Sequence, residues 1–226
     1  MKQHTNDFKE EIKLLGRQQA VRITYTLNEQ TTVITSEDVN SVTPNYKGNL
    51  LKSVMKVLDL DLNVDIPLMT QIKFEYGLLV NGEYEYLDYG NYIVYSSEKQ
   101  EDSSSYKIKC YDKLLYSMVY YSELPNIIYP ITIYTYLSNL CNVIGLSLKE
   151  ANFANMNKQL PSDLFKDQQY TVRDIFDQIA QVTGGTICMT LDDKVEVRYI
   201  QDTNDTIDES YINDINVNFG EKYRTN

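Results

Sequence analysis

Two short stretches of the chain share one pattern of apolar and polar positions. Residues 132–145 and 171–184 each begin with Thr, end with Gly, and carry apolar residues at matching places between. In both stretches the apolar residues recur at the three- and four-residue spacing of a helix with one buried face. The predicted buried faces are Ile133, Tyr136, Leu137, Leu140 and Cys141 in the first helix and Val172, Ile175, Phe176, Ile179 and Ala180 in the second.

The residues at the ends of these two stretches suit helix termini. Thr132 and Thr171 belong to a residue type whose hydroxyl accepts from a free amide of the first helical turn. Asp174, three residues after Thr171, predicts a capping box with Asp in place of the usual Glu. Gly145 and Gly184 predict the left-handed residue that ends a helix. Two similar helices in one small module indicate a structural building block.

A third helix is predicted near the N-terminus. Residues 6–16 place Phe8, Ile12 and Leu15 along one side at helical spacing. Gly16 then predicts the end of the helix.

After this first helix, alternation of apolar and polar residues predicts β-strands. The dipeptide Asn81-Gly82 lies between two apolar runs and predicts a tight hairpin turn. Gly90 predicts a further turn, residues 98–105 predict a polar loop, and residues 48–58 fit either a strand or a short helix. The predicted strands are 20–27, 31–35, 58–66, 71–79, 84–87, 92–96 and 106–111.

The regular spacing of these strands is typical of a barrel or sandwich, and two prolines within 125–130 interrupt it. A polar stretch at 149–169 then separates the two helices, and a hairpin of 185–189 and 194–200 follows them. The sequence therefore predicts an α+β fold, with an N-terminal antiparallel β-barrel or sandwich followed by a small α/β domain of two short helices plus a β-hairpin. The predicted divisions are 1–124 for the barrel-type domain with its N-terminal helix, 125–200 for the small α/β domain, and 201–226 for a linker and the first strand of a further β domain that this chain lacks.

Few residues of this chain suit the common enzymatic mechanisms. His4 is the single histidine of the sequence, so a His-based triad would need it, and a site with several histidines is excluded. No glycine-rich phosphate-binding motif occurs. Cys110, Cys141 and Cys188 lie in strand-like runs or on the apolar helix face, which predicts buried thiols, not a disulfide or zinc site. We therefore expect no enzyme activity, no catalytic residue and no cofactor.

Two acidic stretches resemble cation sites, but their patterns favour other interpretations. Asp59, Asp61 and Asn63 are spaced like the start of a calcium loop. Val64 stands where that loop needs Gly, and Thr70 stands where it needs Glu, so a solvated strand face fits better. A second acidic group suits a solvated linker, and we predict no metal site. That second group is Asp202, Asp205, Asp208 and Glu209.

The charge balance of the chain bears on its partners. It has 226 residues, with 21 Lys and Arg against 32 Asp and Glu, and a formal net charge of -11 at pH 7. The basic residues are scattered, whereas tight nucleic-acid binding needs them clustered. The same acidity suits a surface past which nucleic acid moves without being held. Twenty tyrosines suit strands and protein interfaces, although an AT-rich coding genome would also raise this number.

Membrane and secretion signals are not found in the sequence. No run of about 18 apolar residues predicts a membrane span. The N-terminus lacks the apolar stretch of a secretion signal, so we expect a protein that is made in a cytoplasm and kept there, or assembled from there.

Several segments resemble tail proteins of phages and prophages of Gram-positive bacteria. Each segment alone is a packing pattern, and their order along the chain carries the resemblance, which covers about residues 8–226. One of them is a strand that ends in Tyr111-Asp112 and is followed by an apolar pair. The segments are 55–60, 72–78, 83–95 and 106–115, together with the two Thr-to-Gly helices and the hairpin after Gly184-Gly185.

The resemblance implies the N-terminal region of a baseplate hub, also called a tail-associated or tail-tip protein. Such proteins form homotrimers whose β-barrel domains are arranged as a ring that continues the tail tube, with a small α/β domain outside the first barrel. It implies partners in the tail tube and the distal tail ring, DNA that passes without specific binding, and a place in the virion tail after assembly in the host bacterial cytoplasm. In that family the strand matching residues 216–219 leads into a second barrel-type domain, so a fragment or truncated chain is expected. No catalytic residue is transferred.

Two other functions stay open at the level of the sequence. A carbohydrate-binding β-sandwich would use tyrosines as aromatic platforms, although the same tyrosines suit alternating core and interface positions in strands. A carboxylate-based glycan hydrolase would need two carboxylates about 5 to 9 Å apart, and no pair stands out in the sequence. The candidate platform residues are Tyr84, Tyr86, Tyr89, Tyr92 and Tyr95.

Overall fold

One large mixed sheet and a few short helices dominate the computed structural model, which describes residues 5–13, 18–101, 104–165 and 169–199. The strands of its first part are β1 Gln19–Leu27, β2 Gln30–Thr35, β3 Val39–Lys47, β4 Ser53–Leu62, β5 Gln71–Val80, β6 Glu83–Lys99 and β7 Tyr106–Tyr111. The other elements are the helices α1 Asn6–Glu11, α2 Ile133–Val143 and α3 Val172–Thr183 and the strands β8 Ile131–Thr132, β9 Ser147–Leu148, β10 Gln159–Leu160, β11 Thr186–Met189 and β12 Lys194–Arg198.

Strands β1–β7 form what we call the curled sheet, in which every pairing is antiparallel. Their order is β2-β1-β5-β6-β7-β4, and β3 pairs with the other edge of β4. The edge strands β2 and β3 are joined by the single 3-10 turn Ser36–Asp38, so the two ends of the sheet approach each other there. Among the described residues no ladder joins β2 to β3, and the sheet is therefore not closed.

One face of all seven strands surrounds a single buried core, because alternate residues of each strand point to the same side. Residues of β3 contribute partly buried side chains to it, and Ile66 joins it from the connection after β4. The other buried members are Ile23, Ile34, Leu58, Leu60, Leu62, Ile72, Phe74, Tyr92, Val94, Ile108 and Cys110.

The second part, residues 121–199, is called the helical module here. Its hairpin β11–β12 extends the sheet, since β11 pairs in parallel with Ser53 and Val54 at the start of β4. Strand β9 then adds in parallel to β12. The ten predicted apolar positions of α2 and α3 are all buried, and they pack with the hairpin and with Met55 and Leu114. This confirms both predicted faces.

The predicted helix ends are also confirmed. The Thr132 hydroxyl accepts from the Thr135 amide at 3.2 Å, and Thr171 and Asp174 form a reciprocal capping box. Gly145 and Gly184 adopt left-handed backbone angles, with φ of 76° and 69°. These short-range signals therefore fix where each helix starts and stops.

Several predictions for the curled sheet need correction. Strand β3 was not predicted. Of the two alternatives left open for 48–58, the strand is the one found, because β4 begins at Ser53. The strand predicted over 58–66 ends at Leu62. Gly90 is not a turn: it lies inside the continuous strand β6, at a register shift against β5. The backbone at this bulge has a φ of 104°, which glycine adopts readily and other residues rarely do. A bulge can therefore require glycine just as a turn can.

Helix α1 is shorter than predicted and ends at Glu11, with Phe8 buried and Ile12 exposed. The predicted positions Leu15 and Gly16 lie outside the described residues. So do His4 and the linker and strand predicted over 201–226.

Candidate functional site

Within the described ranges, no group of three or more His, Cys, Asp or Glu side chains could hold a metal ion. The predicted buried thiols are confirmed, and burial raises the pKa of Cys110 and Cys141 to about 12 and that of Cys188 to about 11. Protonated, enclosed thiols of this kind are poor nucleophiles. No helix in the described part of the chain is long and apolar enough to cross a membrane.

Two sets of polar contacts join the helical module to the curled sheet. Asp177, on α3, accepts from the Ser53 amide at 2.7 Å and from the Ser53 hydroxyl at 2.5 Å. Arg173, one turn earlier, donates to the Ser53 hydroxyl at 3.2 Å and to the Lys47 carbonyl at 3.0 Å. Hydrogen bonds to charged groups are stronger than neutral ones. This first clamp therefore fixes α3 against the start of β4.

A second clamp lies at the tip of the β11–β12 hairpin. The Asp193 carboxylate is 2.7 Å from the Lys113 ammonium and accepts from the Asn91 side-chain amide at 3.0 Å. Leu191 lies over the bulge of β6, because a Cβ atom added at Gly90 would sit 3.4 Å from its Cδ2. One clamp thus joins α3 to the curled sheet, and the other joins the tip of the β11–β12 hairpin to it.

Asp112 is the buried carboxyl at this junction, with 2% of its surface exposed. It accepts from the Lys56 amide at 2.9 Å and from the Leu114 amide at 3.1 Å, and so caps the 3-10 segment Lys113–Met118. Burial raises the pKa of this carboxyl to about 6, against the smaller opposing effect of the two amide donors. The junction therefore contains a group that titrates in the mildly acidic range.

On the outer face of the curled sheet, a network of charges spans β1, β5 and β6. Glu75 is buried, and its carboxylate accepts from the Arg22 guanidinium at 2.6 Å and from the Lys73 ammonium at 3.0 Å. Lys73 also lies 3.3 Å from Asp88, and the Arg22 guanidinium stacks 4.0 Å from the Tyr86 ring centroid. The hydrogen bond from Arg22 lowers the pKa of the Glu75 carboxyl. The network pairs two cations with two carboxylates, so this face carries no net charge there.

A cavity of about 440 Å³ opens on the outer face of β3, β4, β6 and β7. Among its lining residues, Asp59 lies 3.6 Å from Lys109, and Asp61 accepts from Asn40 at 2.9 Å. Asn40 also donates to Asn63 at 3.0 Å. The acidic residues of the calcium-like pattern thus lie along the outer face of a strand and its end, among cations and amides.

The five tyrosines of the carbohydrate hypothesis are not brought together on one surface. Tyr92 is in the core of the curled sheet, and Tyr89 packs against Phe74 and Tyr76. Tyr84 and Tyr86 lie together at the start of β6, whereas Tyr95 is exposed beside Tyr111. Two register shifts in β6 turn these side chains to different sides. The residues of the two clamps were missed at the level of sequence, because Ser53 and Asp177 are 124 positions apart.

Comparison with known proteins yields a likeness in fold. No protein-family model matches the chain, and no curated protein matches its sequence. The 43 kDa tail protein of prophage MuSo2 from Shewanella oneidensis is 14% identical, with a TM-score of 0.49 over 80% of this chain and 56% of that one. A chain of the Francisella PdpA–VgrG complex is 13% identical, with a TM-score of 0.51 over 89% of this chain and 30% of that one. The chain therefore spans about half of the first protein and under a third of the second.

Proposed function

We propose that this chain is a structural component of a phage-type tail, in the tip or baseplate hub, and that it is not an enzyme. The observation that carries the proposal is the fold likeness to the chain of the PdpA–VgrG complex, which extends over 89% of this chain. The order of the sequence segments that resemble phage tail proteins of Gram-positive hosts agrees with it. In this proposal the curled sheet is the barrel-type hub domain, and three copies form a ring that continues the tail tube.

The contacts of the junction support a structural role. A ring subunit must keep its shape while neighbouring proteins press on it, and the two clamps fix the helical module at α3 and at the hairpin tip. The proposed partners are other copies of this chain, the tail tube and the distal tail ring. The proposed place is the virion tail, after assembly in the host bacterial cytoplasm.

The net charge of -11 supports a channel that DNA crosses without specific binding. Like charges repel the phosphate backbone, so DNA near an acidic wall is not trapped.

The mass of the assembled protein tests the proposal. Light scattering after size-exclusion chromatography, and native mass spectrometry, are expected to give three times the 26.3 kDa chain mass. Negative-stain images are expected to show rings with a central opening. A strict monomer at every accessible concentration would contradict the ring, and digestion of peptidoglycan or polysaccharide by the purified chain would contradict the non-enzymatic role.

A further inference from the structure

The two free edges of the curled sheet differ in how well they are protected against pairing with another strand. Natural edge strands usually contain a proline, a lysine or a bulge that hinders pairing with another strand. Edge strand β3 has all three devices: Pro44, Lys47 and a register shift between Val39 and Ser41. Edge strand β2 has none of them, since it reads Gln-Thr-Thr-Val-Ile-Thr and carries no charge.

The register of the β1–β2 hairpin shows which backbone groups of β2 face outward. A two-residue loop joins Leu27 to Gln30, and both loop residues have positive φ, as in a type I′ turn. The pair that closes such a hairpin exchanges hydrogen bonds, and the pairs then alternate along the ladder. Thr31, Val33 and Thr35 therefore direct their N–H and C=O groups away from β1, toward the open edge.

This edge is accessible in the described structure. All residues of β2 except Ile34 are exposed, and the Val33 side chain retains 51% of its surface. Six residues of strand give an edge roughly 20 Å long. That length offers three outward N–H and C=O pairs to an incoming strand.

The edge is also a neutral part of an acidic molecule. Residues 23–35 contain one ionised side chain, Glu29, in a chain whose formal net charge is -11. Two copies of such a chain repel each other where their carboxylates face, and they approach at lowest cost where the surface carries no charge. The absence of charge on β2 therefore favours a second copy of this chain as the occupant.

We propose that β2 is the edge at which one copy accepts an extended strand of a second copy, so that the sheet continues across the subunit boundary. The inference rests on the proposed ring of three copies, in which each contact joins two different patches. Two β2 edges paired with each other would need a two-fold axis, which such a ring lacks. The strand that β2 accepts is therefore a different segment of the neighbouring copy.

Two substitutions at one position test the edge. Val33→Pro removes an outward N–H and leaves the hydrogen bonds between β1 and β2 intact, and Val33→Lys places a charge on the same edge. Thr24→Lys is the matched control, since Thr24 is the direct partner of Val33 on β1, on the same face but one strand inward. Each Val33 variant is expected to raise the dissociation constant of the trimer on the order of tenfold or more, and Thr24→Lys is expected to leave it within a few-fold.

Amide exchange in the full chain gives a readout that a folding defect does not imitate. The amides of Thr31, Val33 and Thr35 are expected to exchange more slowly at concentrations where the trimer forms than at concentrations where it dissociates. Circular dichroism and thermal unfolding verify that each variant is folded. A wild-type monomer would refute the proposed ring itself. A wild-type trimer that persists in both Val33 variants, or that Thr24→Lys dissociates equally, would refute the pairing at β2 and leave the ring standing.

Discussion

The curled sheet and the helical module reach a buried core by different routes. Among the described residues, the core of the curled sheet is built entirely from its own strands and their connections, between Ile23 and Cys110. The core of the helical module includes Met55 of β4 and Leu114, which follows β7, and its hairpin pairs with β4. The module thus depends on the sheet for part of its interior, whereas the buried core of the sheet contains no residue of the module. Although the two regions share one sheet, one of them can therefore unfold before the other.

The largest expected effect comes from a phenylalanine in each core. Phe74 and Phe176 are both almost fully buried, and truncation of either to Ala is expected to lower the free energy of unfolding by about 3 to 5 kcal/mol. Phe74→Ala is expected to weaken both regions, because the module packs on the sheet. Phe176→Ala is expected to speed amide exchange in α2, α3 and the hairpin while β5 and β6 stay protected.

Amide hydrogen exchange followed by mass spectrometry measures this difference directly. Equal loss of protection in β5 and β6 for the two variants would show that the regions unfold as one unit, and the proposed dependence would then be wrong.

The next effect concerns Asp112, at the boundary of the two regions. Its pKa is about 6 in the folded state and about 4 in an unfolded chain. The folded state therefore binds this proton more tightly, and the contribution of Asp112 to the free energy of unfolding falls as pH rises from about 4 to about 6. The fall amounts to roughly 3 kcal/mol and is complete above the folded pKa.

Urea denaturation of the wild type and of Asp112→Asn, from about pH 4 to about pH 6, isolates the contribution of Asp112 to the free energy of unfolding. Other carboxyls titrate in both proteins, among them Glu75 and Glu196, whose pKa values are lowered and whose contributions rise with pH. Their effect cancels in the difference between the two curves. Parallel curves for the two proteins would show that Asp112 does not carry the raised pKa.

A smaller effect is expected from the first clamp. Asp177→Ala removes both hydrogen bonds to Ser53 and is expected to cost about 2 kcal/mol, mostly as loosening of α3 from β4. Asp174→Ala, in the same helix, is the matched control. It removes a capping contact and is expected to cost about 1 kcal/mol without a change at Ser53.

Thermal unfolding gives the two costs, and exchange of the Ser53 amide shows where they act. The same Ser53 exchange rate in both variants would mean that Asp177 does not hold the junction.

The helices could be predicted from sequence because their signals are short-range. Thr171, Asp174 and Gly184 lie within one helix length, and the apolar spacing between them reports the buried face directly. The hairpin at Asn81-Gly82 and strand β7 were predicted for the same reason, since a turn dipeptide and strict alternation need no distant partner.

Strand β3 and the bulge at Gly90 were not predictable in this way. Most residues of β3 are exposed, so its sequence lacks the alternation that a buried face imposes, and Pro44 argues against a central strand. A glycine with positive φ occurs in turns and in bulges. The pairing with strand β5 is needed to show that Gly90 lies in a bulge. The junction needs pairs that are distant in sequence, such as Ser53 and Asp177, which are 124 positions apart, and no periodicity reveals such pairs.

One edge of β4 serves two neighbours in succession: Ser53 and Val54 pair with β11, and Val57 through Leu62 pair with β7. Lys52 and Lys56 mark that shared edge, because the Ile187 amide donates to the Lys52 carbonyl and the Asp112 amide donates to the Lys56 carbonyl. Alternate residues of a strand direct their backbone groups to the same edge. If β11 continued in the same register, Thr190 would come opposite Lys56 and displace the Asp112 amide. Lengthening either β7 or β11 toward the other is therefore expected to cost hydrogen bonds of its neighbour, and the chain turns away from β4 at Asp112 for that reason.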